Sequence, residues 1–243
     1  MRDIGLRLRY KAIPVTQNYP KPLLEVGGKP ILDWLVEDVA DEVDEVIVVT
    51  NHKFADIFEK WAVKRLEQIR VIDDGTETNE TRLGAVRDIQ LAATDDWDYL
   101  VMAGDNMLDF SLKGFIDYQR KVGTSCVMCH EEKRLAALQK TAVITITDTG
   151  VITSYEEKPK EPKGELAVPP FYIYKAADIK RIPEALEDGC GYDAPGSFAA
   201  WLSKQVDMHA RVMQGHRYDI GDIASYEAVK AIITEKYERK FSS

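Results

Sequence analysis

Two hydrophobic patterns alternate through the first 110 residues. Short runs of apolar, mostly β-branched residues at 45–50, 69–72 and 98–103 are typical of buried parallel strands. Between them, apolar residues recur every three or four positions after residue 30, around 54–61 and around 83–93, as in amphipathic helices. Strands and helices that alternate in this order predict a parallel sheet with right-handed crossovers.

The pattern changes after residue 111. An antiparallel hairpin is predicted for 142–147 and 151–155, around the turn Asp148-Thr149-Gly150. Further predicted elements are a helix over 112–121, strands at 124–129 and 171–174, and helices near 176–188, 196–205 and 223–236. We expect one domain over residues 1–243, with a nucleotide-binding-like half (about 1–110) and a mixed half (about 111–243).

Composition narrows the class of protein. The 243 residues are 45% hydrophobic and 30% charged, which suits a globular protein with a substantial core. We expect no membrane partner because no apolar run is long enough to span a bilayer. The net charge of −9 and the lack of a basic stripe argue against nucleic acid as a partner. Three cysteines and no hydrophobic leader at the N-terminus predict a cytoplasmic protein.

The stretch from Pro20 to Ile31 is the first candidate for a binding site. Pro20 and Pro22 restrict the backbone on both sides of Lys21, so we expect this lysine on a stiff, non-helical segment. Gly27-Gly28 then predicts a tight turn with positive φ, and a helix follows. A cation held before a turn and a helix can bind phosphate, although an ordinary proline-rich loop with a solvated lysine has the same pattern.

Three acidic side chains and one basic side chain are further candidates. Asp105 follows a predicted parallel strand, where open α/β sheets bind ligands, and it could instead cap the next helix. Asp219 lies just before a helix, with the same alternative. Two such carboxylates, with phosphates and water, would make an oxygen-ligand magnesium site. Glu157, at the end of the hairpin, could accept hydrogen bonds from sugar hydroxyls, and Lys158 is expected to be extended because it precedes Pro159. A solvated strand end is the alternative.

The pair Cys126 and Cys129, followed by His130, has one feature of a zinc site. There is no second matching pair, and both cysteines lie in an apolar run. A core strand is therefore the favoured interpretation.

Taken together, these motifs resemble those of the sugar-1-phosphate nucleotidyltransferases. The resemblance runs from about residue 7 to about residue 226. It rests on four segments in order: Pro20-Lys21-Pro22-Leu23-Leu24 with Val26-Gly27-Gly28-Lys29-Pro30-Ile31, Gly104-Asp105-Asn106, Glu157-Lys158-Pro159, and Asp219-Ile220-Gly221. The resemblance implies a Rossmann-like three-layer α/β/α sandwich with a mostly parallel mixed sheet, of the nucleotide-diphospho-sugar transferase type.

The resemblance also implies an activity. A nucleoside triphosphate and a sugar-1-phosphate would give a nucleotide-sugar and pyrophosphate, with Mg²⁺ as cofactor. Lys21 would stabilise charge around the α-phosphate, and Asp105 and Asp219 would hold the metal. In the sugar-binding half, Glu157 would contact sugar hydroxyls and Lys158 the sugar phosphate. Gly84 lies where the family lets the backbone approach the base.

The N-terminus departs from the family pattern. The family opens with an apolar strand and a glycine-rich phosphate loop, and Gly5-Leu6-Arg7-Leu8-Arg9 resembles a remnant of that loop. In this interpretation Gly5 would contact the nucleotide and Arg7 would take the catalytic arginine's place. We expect the central strand and much of the loop to be missing, because the chain begins late or its first residues come from an altered reading frame. Thr141 also stands where many members have glycine.

Three other functions stay open on the sequence. One is a weak or inactive nucleotide-sugar-binding protein, another a cytidylyltransferase acting on a non-sugar phosphorylated alcohol. The third is a glycosyltransferase of similar fold, which would use Asp105 but would not need Lys21. The identities of base and sugar, and whether the chain forms a homo-oligomer, are not readable from the sequence.

Overall fold

The computed structural model describes residues 4–9, 19–65, 68–78, 80–94 and 96–241, with the backbone alone at 4–9 and 234–241. Residues 10–18, which follow the first strand, lie outside the described residues.

The first half alternates strands and helices as the sequence predicts. Its elements are β1 (Ile4–Arg9), a one-turn 3-10 helix (Lys21–Leu23), β2 (Glu25–Val26), β3 (Lys29–Pro30), α1 (Ile31–Val39), β4 (Glu45–Thr50), α2 (His52–Val63), β5 (Ile69–Asp73), α3 (Ala85–Ala92), β6 (Asp98–Ala103) and β7 (Asn106–Leu108). The glycines at the β2–β3 turn, Gly27 and Gly28, have φ of 63° and 82°, which confirms the predicted turn.

The second half contains the predicted hairpin and several short strands. Its elements are α4 (Lys113–Val122), β8 (Cys126–Glu131), α5 (Leu135–Leu138), β9 (Ala142–Ile146), β10 (Ile152–Glu157), β11 (Leu166–Val168), β12 (Phe171–Tyr174), α6 (Ala176–Ile179), α7 (Ile182–Glu187), α8 (Gly196–Leu202), β13 (His209–Val212), β14 (Arg217–Asp219) and α9 (Ile223–Phe241).

Within the described residues, one ten-stranded mixed sheet runs through both halves. Its strand order is β10-β9-β11-β8-β12-β6-β1-β4-β5, and β13 pairs with β8. Strands β6, β1, β4 and β5 are parallel to one another. Strand β12 is antiparallel to both β6 and β8, so β6 and β8 run in the same direction. Their carboxyl ends therefore lie at the same edge of the sheet.

Helices cover both faces of this sheet. Along β4, Val46 and Val48 belong to the apolar cluster that contains Phe58 of α2, whereas Ile47 and Val49 belong to the cluster packed against α3 and α8. Side chains alternate between the two faces because a strand has a period of two residues. The predicted three-layer α/β/α fold is confirmed.

The expectation that the central strand is missing is wrong. Residues Ile4–Arg9 form β1, which pairs in parallel with β4 on one side and β6 on the other. The sequence signal is the alternation of Ile4, Leu6 and Leu8 with less apolar residues, which is a strand pattern. Gly5 and Arg7 therefore lie inside the strand and not in a loop, and their contact with a nucleotide stays a prediction.

Two cysteines lie in β8, as the favoured interpretation requires. Cys126 and Cys129 are three residues apart on a strand, so they face opposite sides of the sheet and belong to different apolar clusters. Burial raises the pKa of each thiol to about 12, which keeps it protonated at neutral pH. The core-strand interpretation is confirmed.

Candidate active site

A cavity of about 1010 Å³ opens at the carboxyl ends of β6 and β8. Its lining brings together residues from distant parts of the chain, among them Lys21, Asp105, Asn106, His130, Thr141, Tyr172, Arg217 and Asp219. This is the edge of an open α/β sheet at which ligands bind.

A two-stranded ribbon brings Asp105 and Asp219 to the same place. Strands β7 and β14 pair antiparallel, with Asp219 opposite Asn106, and the N–H of Ile220 donates to the carbonyl oxygen of Asp105 (3.0 Å). Neither aspartate's own sequence neighbourhood predicts this ribbon, because each strand has only three residues.

The two carboxylates repel each other. Burial, and then the charge of Asp219, raise the pKa of Asp105 to about 6, while Lys21 acts in the opposite direction. A pair of carboxylates in this state is stabilised by a cation that both can share. The oxygen donors and their mutual repulsion therefore fit a hard divalent cation. Within the described residues no third acidic, histidine or cysteine side chain completes a metal cluster.

Lys21 connects two segments of the chain that are about 200 residues apart in sequence. Its side chain is 4% exposed, and its Nζ lies 3.9 Å from Oδ2 of Asp105. The same Nζ donates to the carbonyl oxygens of Ile220 (3.2 Å) and Gly221 (2.9 Å). These contacts hold the ammonium in one position, as the stiff segment predicted from the flanking prolines requires. The expected non-helical backbone is wrong, because Lys21 begins a 3-10 turn in which the N–H of Leu24 donates to its carbonyl oxygen.

Glu157 ends β10 and is not part of the described cavity lining, although it pairs with Ala142, the neighbour of the lining residue Thr141. Its Oε2 is buried and has no hydrogen-bond partner within the described structure, and the same holds for the hydroxyl of Tyr155. Burial raises the pKa of Glu157, and Lys158 partly offsets this increase. A Cβ added to Gly196 would overlap Oε2 of Glu157. Gly196 therefore leaves the space that the carboxylate occupies.

Lys158 departs from the extended backbone that its position before Pro159 predicts. Its φ is 49°, in the left-handed region, so that expectation is wrong. The N–H of Lys158 donates to the carbonyl oxygen of Thr141 (3.1 Å), which turns the chain as β10 ends. Lys158 is exposed and is not part of the described cavity lining, so its contact with a sugar phosphate stays a prediction.

Gly84 packs against the chain's own loop. It has φ of 89° and precedes α3, and a Cβ there would lie 2.6 Å from the carbonyl oxygen of Tyr192. That oxygen accepts a hydrogen bond from the N–H of Val86 (2.9 Å). Gly84 is not part of the described cavity lining, so its approach to a base stays a prediction.

Arg217, Asn106 and His130 also line the cavity, although the sequence assigns none of them a role in nucleotidyl transfer. Nη1 of Arg217 donates to Oδ1 of Asn106 (2.6 Å) and lies 3.6 Å from Oδ2 of Asp219. Asn106 Nδ2 in turn donates to Oδ1 of Asp105 (3.1 Å). Arg217 and Asp219 are two residues apart on β14 and share a face, but the three-residue strand that shows this has no local sequence signal.

A family model described as Nucleotidyl transferase matches residues 5–236. This match covers nearly the whole chain, and the protein belongs to the nucleotidyl transferase family.

Two curated relatives share 28% identity with the chain. One is the bifunctional protein GlmU of Methanocaldococcus jannaschii, matched over 185 residues that make up 75% of this chain and 40% of GlmU. The other is the UTP–glucose-1-phosphate uridylyltransferase AglF of Haloferax volcanii, matched over 176 residues that make up 71% of this chain and 69% of AglF. The chain thus spans less than half the length of this GlmU.

The fold is also that of solved structures. A UDP-glucose pyrophosphorylase in complex with UDP-glucose has a TM-score of 0.80 and 19% identity, covering 97% of this chain and 100% of that one. This likeness supports the Rossmann-like α/β architecture. No helix in the described part of the chain is long and apolar enough to cross a membrane.

Proposed function

We propose that the protein transfers a nucleotidyl group from a nucleoside triphosphate to a sugar-1-phosphate, giving a nucleotide-sugar and pyrophosphate. The observation that carries this proposal is the convergence of Lys21, Asp105 and Asp219 on one cavity at the carboxyl edge of the sheet. The curated relative AglF is named for the same type of reaction.

The reaction needs positioning more than acid–base chemistry. A phosphate oxygen of the sugar-1-phosphate attacks the α-phosphorus, the bond from that phosphorus to the bridging oxygen breaks, and pyrophosphate leaves with the electron pair. A phosphate monoester has a second pKa near 6, so the attacking group is already ionised at neutral pH. The protein's task is to align two anions and to offset their charge.

Lys21 supplies a fixed positive charge for this step. Its hydrogen bonds to Ile220 and Gly221 hold the ammonium in place without neutralising it, because both acceptors are backbone carbonyls. An oriented cation in a mostly buried site stabilises developing charge more than a solvated cation does. We assign it to the α-phosphate.

Asp105 and Asp219 would hold the metal ion, for which we propose Mg²⁺. Phosphate oxygens and water would complete an oxygen coordination sphere. When bound, the ion would neutralise phosphate charge. The β7–β14 ribbon, in which Asp219 lies opposite Asn106, supports this assignment.

Glu157 supports a carbohydrate as the second substrate. Its unpartnered Oε2 and the unpartnered hydroxyl of Tyr155 are both buried, and buried polar atoms without partners are costly. A sugar hydroxyl can satisfy the carboxylate of Glu157. Lys158, exposed on its left-handed turn, is assigned to the sugar phosphate. The three cysteines are free thiols, which fits the cytoplasmic location that we propose.

The test is pyrophosphate release with Mg²⁺, over a grid of five nucleoside triphosphates and a panel of sugar-1-phosphates. Phosphocholine and glycerol phosphate are included as non-sugar acceptors. We expect release that requires one particular triphosphate and one sugar-1-phosphate. If pyrophosphate is released only with a non-sugar acceptor, the second substrate in the proposal becomes a non-sugar phosphorylated alcohol. Silence together with measurable nucleotide-sugar binding would identify a binding protein instead of an enzyme.

A further inference from the structure

Arg217 lies in the cavity beside the predicted metal site. It is on β14, two residues before Asp219, and its side chain is 20% exposed. It lines the same cavity as Lys21 and Asp105.

Most of the hydrogen-bonding capacity of Arg217 is unused. Nη1 donates to Asn106 and lies near Asp219, whereas Nε and Nη2 donate to no atom of the described residues. A guanidinium has five N–H donors in a planar fork that matches a phosphate. The contact to Asp219 is 3.6 Å long, so the ion pair is loose and leaves Arg217 available to another anion.

His130 extends the same wall of the cavity. It lies in β8, and its Nδ1 is buried without a hydrogen-bond partner among the described residues. Burial lowers the pKa of His130, and the nearby charge of Arg217 lowers this pKa further. An unsatisfied ring nitrogen beside unused guanidinium donors indicates a polar ligand. A guanidinium that stays protonated favours an anionic ligand whose oxygens match its planar fork.

We propose that Arg217 binds the phosphate of the second substrate, the sugar-1-phosphate, and that His130 donates a hydrogen bond to the same group. This inference rests on the proposed function. Lys21, from the first half of the chain, contacts Asp105, and Arg217, from the second half, contacts Asp219. Each of the two phosphates that must approach each other thus has its own cation, which reduces their repulsion at the moment of attack.

The test compares Arg217→Met and Arg217→Lys with a matched control, Arg211→Met. Arg211 stacks on the ring of Tyr118 and is not part of the cavity lining. For Arg217→Met we expect the KM for the sugar-1-phosphate to rise about 10- to 100-fold, which is the loss of one charge-assisted phosphate contact. The KM for the triphosphate should change less than about threefold. Arg217→Lys should recover part of the loss, and Arg211→Met should match the wild type.

Two results would overturn the assignment. One is an unchanged KM for the sugar-1-phosphate. The other is a higher KM for the triphosphate or a higher Mg²⁺ requirement with sugar-1-phosphate affinity intact, which would mean that Arg217 positions Asp219.

Calorimetric titration with glucose 1-phosphate separates this inference from the proposed function. If the wild type releases no pyrophosphate but binds glucose 1-phosphate, and Arg217→Met weakens that binding at least tenfold, the phosphate site stands and the proposed reaction fails. If the wild type turns over and Arg217→Met behaves like Arg211→Met, the reaction stands and the site fails. If the wild type shows no binding of glucose 1-phosphate and no turnover, both the phosphate site and the proposed reaction are overturned.

Discussion

The ammonium of Lys21 donates a 2.9 Å hydrogen bond to the carbonyl oxygen of Gly221, two residues after Asp219. This bond ties the proline-flanked segment near the start of the chain to the loop that carries the second candidate metal ligand. One buried ammonium therefore lies beside Asp105 and is also bonded to the segment that follows Asp219.

Replacing Lys21 with Met should lower kcat by about 100- to 1000-fold, because the variant keeps the bulk of the side chain and loses the fixed charge. Steady-state pyrophosphate release is the measurement. Lys29→Met is the matched control, since Lys29 lies in the same segment but stacks on Trp34 outside the cavity. Turnover within threefold of the wild type in Lys21→Met would remove Lys21 from the mechanism.

Replacing Asp105 with Asn should abolish turnover and yet stabilise the metal-free protein. Burial and Asp219 raise the pKa of Asp105 to about 6, so the folded state disfavours its charge. Removing that charge should raise the Tm in EDTA by about 2–4 °C, equivalent to about 1 kcal/mol. Thermal unfolding by circular dichroism checks this expectation.

Asp148→Asn, in the exposed turn of the β9–β10 hairpin, is the control for this variant and should leave both Tm and turnover unchanged. A lower Tm for Asp105→Asn in EDTA would contradict this expectation. It would show that the attraction between Asp105 and Lys21 stabilises the folded state more than the repulsion from Asp219 destabilises it.

Gly196→Ala should weaken sugar-1-phosphate binding. The new Cβ would overlap the carboxylate of Glu157 and lie 3.2 Å from the hydroxyl of Tyr155, so Glu157 must move. We expect the KM for the sugar-1-phosphate to rise about tenfold with little change for the triphosphate. In Gly114→Ala the nearest atom would be 4.0 Å away, so this helical control should not affect kinetics. Equal KM values for the two variants would argue against a substrate role for Glu157.

Leu6→Pro should destabilise the fold strongly. Leu6 pairs with Val46 on one side and Leu100 on the other, and proline in a central strand removes a ladder hydrogen bond and strains the sheet. Urea unfolding should show a loss of about 3 kcal/mol or more. Thr153→Pro, on the edge strand β10 where the register shifts between Ile152 and Ser154, should cost less than half as much. Equal losses would mean that β1 does not hold the centre of the sheet.

The long apolar runs could be predicted from sequence and the short strands could not. The bounds of β4 and β6 agree residue for residue with the predicted runs, because both are buried on two faces. Strands β7, β11 and β14 have three residues each, too few for a periodicity to be recognised. Strand β1 was missed because Gly5, Arg7 and Arg9 interrupt its apolar residues.

In the candidate site, too, some features could be predicted from the sequence and others could not. Lys21 and Asp105 could be found from local backbone chemistry and from the end of a buried strand. Their meeting with Asp219 depends on the β7–β14 ribbon, which is a long-range pairing without a local signal. Arg217 was missed because its importance comes only from the cavity it lines.

The most direct test of the central claim is the fate of labelled phosphate. The reaction should be run with Mg²⁺ and the sugar-1-phosphate that the substrate grid identifies, using triphosphate labelled at either the α- or the γ-phosphorus. The account predicts α-label in the nucleotide-sugar and γ-label in pyrophosphate. Transfer of γ-label to the sugar phosphate, or α-label that stays in free nucleotide, would contradict it.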